Sequence, residues 1–141
     1  MSKYLLLLGL ILTACGAESS VGQTAKAEKI TCHTAYRNSV SQAIEHEETL
    51  IFTDIDEEQS ISFADMAFHA AYATGEGDNE RSLRLWVTDA EGEGVLQTQL
   101  YQLALEDGPQ NQFVGGHGFT GLNYSYHPET TAELQFWCVA G

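Results

Sequence analysis

The residues of this 141-residue chain whose side chains could do chemistry are five histidines, twenty acids and three cysteines. His33, His46, His69, His117 and His127 could ligate a transition metal. None is spaced as His-x-His or His-x-x-x-His, however, and none forms a ligand pair with a nearby cysteine. Isolated surface histidines are the expectation, with His33 on the solvent side of a strand. Asp54, Asp56, Glu58 and Asp65 stand near the spacing of a calcium loop, with Ile61 at its apolar position. Gln59 occupies the place of the turn glycine, and Asp65 that of the bidentate glutamate, so no EF-hand is expected. Glu76, Asp78, Glu91 and Glu93 at two loop tips are better candidates for weak calcium binding, if the two loops share one end of the fold. Gly115-Gly116-His117-Gly118 lacks the lysine of a phosphate loop and reads as a tight turn or bulge. No Gly-x-Ser-x-Gly string occurs.

The first cysteine has a different character. Cys15 closes the string Leu12-Thr13-Ala14-Cys15, directly after the apolar run 4–12 and the charge of Lys3. This string resembles the lipobox of bacterial lipoproteins, with Leu three residues before the cysteine and small residues between. The resemblance implies cleavage before Cys15 and lipid, palmitate among it, on its sulfur and amine. It also implies a place in the bacterial cell envelope, and Gly16 rather than Asp after the cysteine leans towards the outer membrane. Physical length agrees. The nine residues of the run make about 13 Å of helix, and a bilayer core takes roughly 20 residues. The run therefore suits a removed signal rather than a permanent span. Two or more acyl chains would then anchor the mature chain stably. Residues 1–14 are expected to be the signal peptide, and 15–28 the lipidated cysteine with a small, polar, flexible tether. Residues 29–141 form a single domain.

With Cys15 assigned to lipid, Cys32 and Cys138 remain as an even pair in an oxidising compartment, and a disulfide between them is expected. No thiol is then left for a Cys–His nucleophile. Neither an enzyme nor a cofactor is expected. Cys32 alternates in phase with Ile30 and Tyr36, and Cys138 with Leu134 and Phe136, so both thiols face the core. A disulfide needs Cα atoms within about 7 Å. The first and last strands must therefore be neighbours or face each other across the core. Period-two patterns recur at Leu83, Leu85 and Val87 and at Leu122, Tyr124 and Tyr126, with Gly, Asp, Asn and Pro clusters between. The prediction is an all-β fold, an antiparallel barrel or sandwich of roughly eight strands.

Three segments are less decided. Ser39 and Gln42 have capping-box spacing, which predicts a short helix or irregular excursion over 39–48. Ile61 and Phe63 are out of phase with Met66, Phe68, Ala70 and Tyr72. A bulge at Ala64-Asp65 would reconcile them, and a helix over 63–73 competes. The run 95–105 is apolar on both faces in places and reads as a long central strand.

Charge narrows function. Twenty acids oppose six Lys and Arg, and fourteen of the acids lie between Glu45 and Glu93. Such a surface repels nucleic acid and anionic headgroups. Trp86 and Trp137 fall on the polar sides of their strands and would form an exposed binding surface if those strands were neighbours. The expected function is that of a lipid-anchored binding or interaction module for a basic protein or a small ligand. The alternative is a structural or adhesion lipoprotein without a discrete ligand. A small anchored β-barrel with one bridge is loosely similar in architecture to the membrane-bound lysozyme inhibitors. Their loop lysine has no counterpart here, because the C-terminal half contains no Lys.

Overall fold

The computed structural model describes residues 29–75, 80–104 and 109–141. The expected signal peptide, Cys15 and the expected tether lie outside the described residues, as do Glu76 and Asp78. Eight strands follow in order: β1 (Ile30–Arg37), β2 (His46–Phe52), β3 (Glu57–Ser62), β4 (Met66–Thr74), β5 (Glu80–Asp89), β6 (Val95–Ala104), β7 (Asn123–Tyr126) and β8 (Glu133–Ala140). They build two antiparallel four-stranded sheets, β2-β1-β8-β7 and β3-β4-β5-β6. Chain order is thus the order around the molecule, with β8 returning to pair with β1. Two seams interrupt the ladder, between β2 and β3 and between β6 and β7. The fold is therefore two facing sheets, sandwich-like, and not a closed barrel. Side-chain amides span both seams: Gln59 Nε2 donates to the Ile51 carbonyl at 2.8 Å, and Gln99 Nε2 to Asn123 Oδ1 at 2.8 Å.

Alternation builds the core. Ile30, Cys32 and Tyr36 from β1 and Leu134, Phe136 and Cys138 from β8 face Phe68, Tyr72, Leu83 and Leu85 of the other sheet in one buried cluster. Aromatic pairs join the sheets: Phe68 against Phe136 at 5.1 Å, and Phe52 edge-on to Tyr72 at 6.4 Å. Cys32 and Cys138 stand directly opposite each other in the β1–β8 ladder, with Cα atoms 4.0 Å apart and sulfurs at bonding distance, 2.06 Å.

Several expectations are corrected. The change of phase near residue 64 is a chain reversal, because the Phe63 amide donates to the Met66 carbonyl at 2.8 Å and β3 and β4 pair as a hairpin. No bulge and no helix forms over 63–73, since Met66, Phe68, Ala70 and Tyr72 all need the same inner face. Residues 39–48 make a reverse turn closed by Gln42 N to Ser39 O at 2.9 Å, followed by β2, in place of a helix. Leu50 and Phe52 reach the core only at strand spacing. The run 95–104 is an edge strand rather than a central one. In β7, Tyr124 and Tyr126 point outward and Ser125 inward, opposite to their polarity. The register to β8 sets this, placing Ser125 beside the inward Leu134.

Only four residues of β7 pair with β8, and residues 109–121 complete that edge by other means. Asn111 receives the Ala140 amide at 2.9 Å and donates to the Ala140 carbonyl at 2.6 Å. Thr120 Oγ1 accepts from the Cys138 amide at 2.8 Å, and Phe119 N donates to the Cys138 carbonyl at 3.1 Å. A loop thus stands in for a strand. The tight turn expected at Gly115-Gly116-His117-Gly118 is there, as a 3-10 turn over Val114–Gly116.

Candidate functional site

The tryptophans do not converge. Trp86 lies on the outer face of β5 and Trp137 on that of β8, which belong to opposite sheets, so no shared indole patch exists. Each is instead stacked on the histidine directly across its ladder. Trp137 pairs with His33 at 5.2 Å and Trp86 with His69 at 5.0 Å. His117 meets the Trp137 edge at 5.3 Å, and the Arg84 guanidinium sits 4.1 Å over Trp86. Thr88 Oγ1 donates to the Asp89 carbonyl at 2.8 Å, so it accepts from His69 Nε2 at 3.2 Å. Burial lowers the His69 pKa, and Arg84 lowers it further against the opposing pull of Glu58. His127 Nδ1 accepts the amides of Glu129 and Thr130 at 3.3 Å, which caps a turn. His46 tilts against the Tyr36 ring at 6.4 Å, so all five histidines have packing or capping work to do.

Of the calcium candidates, Glu76 and Asp78 lie outside the described residues. Glu91 and Glu93 stand exposed in the turn after β5, while the chain enters and leaves residues 76–79 at Gly75 and Glu80, at the opposite end of that strand. Ten strand residues separate the two ends by about 30 Å. The turn after β5 has its own use for a carboxylate: Asp89 accepts the amides of Glu93 at 2.8 Å and Gly94 at 2.7 Å. Asp65, Asp89, Glu91, Glu129 and His127 line an open cleft of about 360 Å³. Among the described residues no three His, Cys, Asp or Glu are grouped to hold a metal ion. Residues 54–65 span a corner and β3 instead of a loop between helices.

One flank differs from the rest of the molecule. Between Gly94 and Pro128 the only charged residues are Glu106 and Asp107. The fold collects this stretch on one side, as β6, the loop 109–121 and β7, around the second seam. Among the described residues, six of the nine exposed large hydrophobics lie there: Val95, Leu100, Phe113, Val114, Tyr124 and Tyr126. Val114 is 92% exposed, and Tyr124 and Tyr126 stack on each other at 6.4 Å. An open groove of about 400 Å³ runs between Leu100–Leu103 of β6 and the loop, lined by Gln102, Gln110, Gln112 and Phe119. Next to Tyr126, Arg37 and Glu133 form an ion pair at 2.8 Å, which neutralises the nearest charges. The described residues of this flank offer amides, aromatic faces and apolar tips without net charge. Such chemistry suits a neutral partner.

No protein family, characterised protein or solved structure matches this chain.

The uncharged flank was missed by reasoning from the two tryptophans and from the acids. Its signal is present in the sequence as the long gap in charge between Gly94 and Pro128. That gap gains meaning only when the topology brings β6 and β7 together at one seam.

Proposed function

We propose that this chain is a lipid-anchored protein of the bacterial cell envelope whose β domain is a binding module for a neutral partner. The Leu12-Thr13-Ala14-Cys15 string supports the anchor, and a Cys32–Cys138 bridge suits an oxidising compartment. One observation carries the binding reading. In a chain of net charge −14, exposed Phe113, Val114, Tyr124 and Tyr126 concentrate on a flank whose described residues between Gly94 and Pro128 carry no Asp, Glu, Lys or Arg. Exposed apolar groups that cluster on one side mark interaction surfaces, whereas scattered ones do not. Aromatic enrichment and charge depletion characterise the centres of such surfaces. The test is photo-crosslinking in living cells, with a photoreactive side chain at Phe113, at Tyr124 or, as control, at outward Ser60. A discrete adduct from both flank positions and none from Ser60 is expected. Equal adducts from all three positions, or none from any, would defeat the binding reading. Loss of fatty-acid labelling in Cys15→Ser tests the anchor separately.

A further inference from the structure

We infer that the free edge of β6 pairs antiparallel with β6 of a second copy of this chain, joining the two β3-β4-β5-β6 sheets into one eight-stranded sheet. The inference goes beyond the proposed function and needs neither the anchor nor a ligand. It starts from how the four sheet edges are treated. An open edge is a row of unpaired amides and carbonyls, and proteins blunt it with charge, proline or brevity. β2 carries Glu47 and Glu48, β3 carries Glu57 and Glu58, and β7 is only four residues long. β6 has ten residues (VLQTQLYQLA) with no charge, no proline and no glycine. Among the described residues no backbone hydrogen bond joins its free edge to another segment. Of the four sheet edges, only that of β6 has neither charge nor brevity; its contacts to β7 and the loop run through the side chains of Gln99 and Tyr101 and leave its backbone groups unpaired by other backbone among the described residues.

Charge selects the occupant. Two copies at net −14 repel wherever acids face each other, and the ten residues of β6 bring no charge of their own to the contact. An antiparallel self-pair has its two-fold axis perpendicular to the sheet, so outward residues meet outward residues. The axis then falls near residues 98–100, the middle of the strand. Leu100, 63% exposed and outward, meets its own counterpart or Thr98 there. Val95, also 63% exposed, sits at the strand end. It lies about 30 Å from its counterpart, given roughly 3.4 Å per residue. The outer faces of both β2-β1-β8-β7 sheets stay open in this arrangement and point the same way.

The test uses the full-length chain in detergent, carrying Cys15→Ser so that an introduced cysteine is the only thiol outside the bridge. Single Leu100→Cys and Val95→Cys chains are treated with a short bis-maleimide, and sedimentation gives the protein mass of the chain without either cysteine. Expected are a protein mass of two copies and at least tenfold faster covalent dimer formation from Leu100→Cys than from Val95→Cys. Leu100→Glu should return the mass to one copy; because that side chain is mostly solvent-exposed, the fold is not at stake. A one-copy mass up to about 100 μM, or equal cross-linking at both positions, would overturn the inference. Either result leaves the Phe113 and Tyr124 adducts untouched, so the two readings fail separately.

Discussion

Glu133 is only 2% exposed although it points to the outer side of its sheet, because Arg37, Gln135 and Tyr126 close over it. Burial pushes its carboxyl up, but the bonds from these three residues outweigh burial and hold it below the ordinary 4.5. The unfolded chain therefore takes up this proton at higher pH than the folded one. The stabilisation is complete above about 4.5 and is lost as acid carries the pH down through the folded value. Glu133→Gln leaves the Arg37 charge without a counter-ion. A loss of about 2 kcal/mol at pH 7 is expected, below the usual cost of breaking a fully buried pair because Arg37 keeps 23% exposure. Urea unfolding across pH checks it, since the gap from the parent should narrow as the pH falls below 4.5. A constant gap from pH 7 to pH 3 would refute the assignment. At this scale the sequence was partly legible. Parity of cysteines and their phase with core residues gave the bridge, whereas the use of His33 and His69 as stacking partners depends on cross-strand register, which no local pattern encodes.

Gly118 shows what the loop 109–121 asks of its residues. It has φ +63°, and a Cβ there would sit 2.0 Å from the Cys138 carbonyl oxygen. Gly118→Ala should therefore lift the loop off β8 and cost about 2–4 kcal/mol. Gly92, at φ +77° with nothing within 4 Å, separates backbone strain from collision. Gly92→Ala should cost only about 1 kcal/mol. Denaturation midpoints of the two variants measure the difference, and equal losses would mean that the close approach is not what requires Gly118. Strands with clean alternation, β1, β4, β5 and β8, were legible because each buries one face. The turn at 64–65 was not, because a reversal and a bulge both shift the phase by one residue. β7 was misread for a related reason. Its tyrosines look like a core row, and only pairing with β8 shows that Ser125 takes the inner side.

At the scale of the molecule, the β1–β8 pairing closes the order of strands, and the bridge within it spans 106 residues of sequence. A covalent loop of that size is worth about 4.7 kcal/mol in the chain-entropy account. Domain stabilities are only about 5–15 kcal/mol, so the paired Cys32→Ala, Cys138→Ala variant should be marginal. Its denaturant midpoint, compared with oxidised and reduced parent, measures this. An unchanged midpoint would show that the bridge contributes nothing. Sandwich against barrel was not legible, because both need the same alternating strands and differ only in whether two seams pair. The position of the bridge also fixes how the domain responds to force. Outside Cys32–Cys138 lie the pairs Ile30–Ala140 and Thr31–Val139, the bond from Gly141 N to the Lys29 carbonyl, the Asn111 bonds to Ala140, and the pairing of Ile30 and Thr31 with β2. Tension between Lys29 and Gly141 parts these few contacts and then meets a covalent bond, beyond which the chain inside the loop is shielded from the pull. Oxidised, the domain yields only the few residues outside the bridge; reduced, the same pull opens β1 from β8 like a zipper, one residue pair at a time.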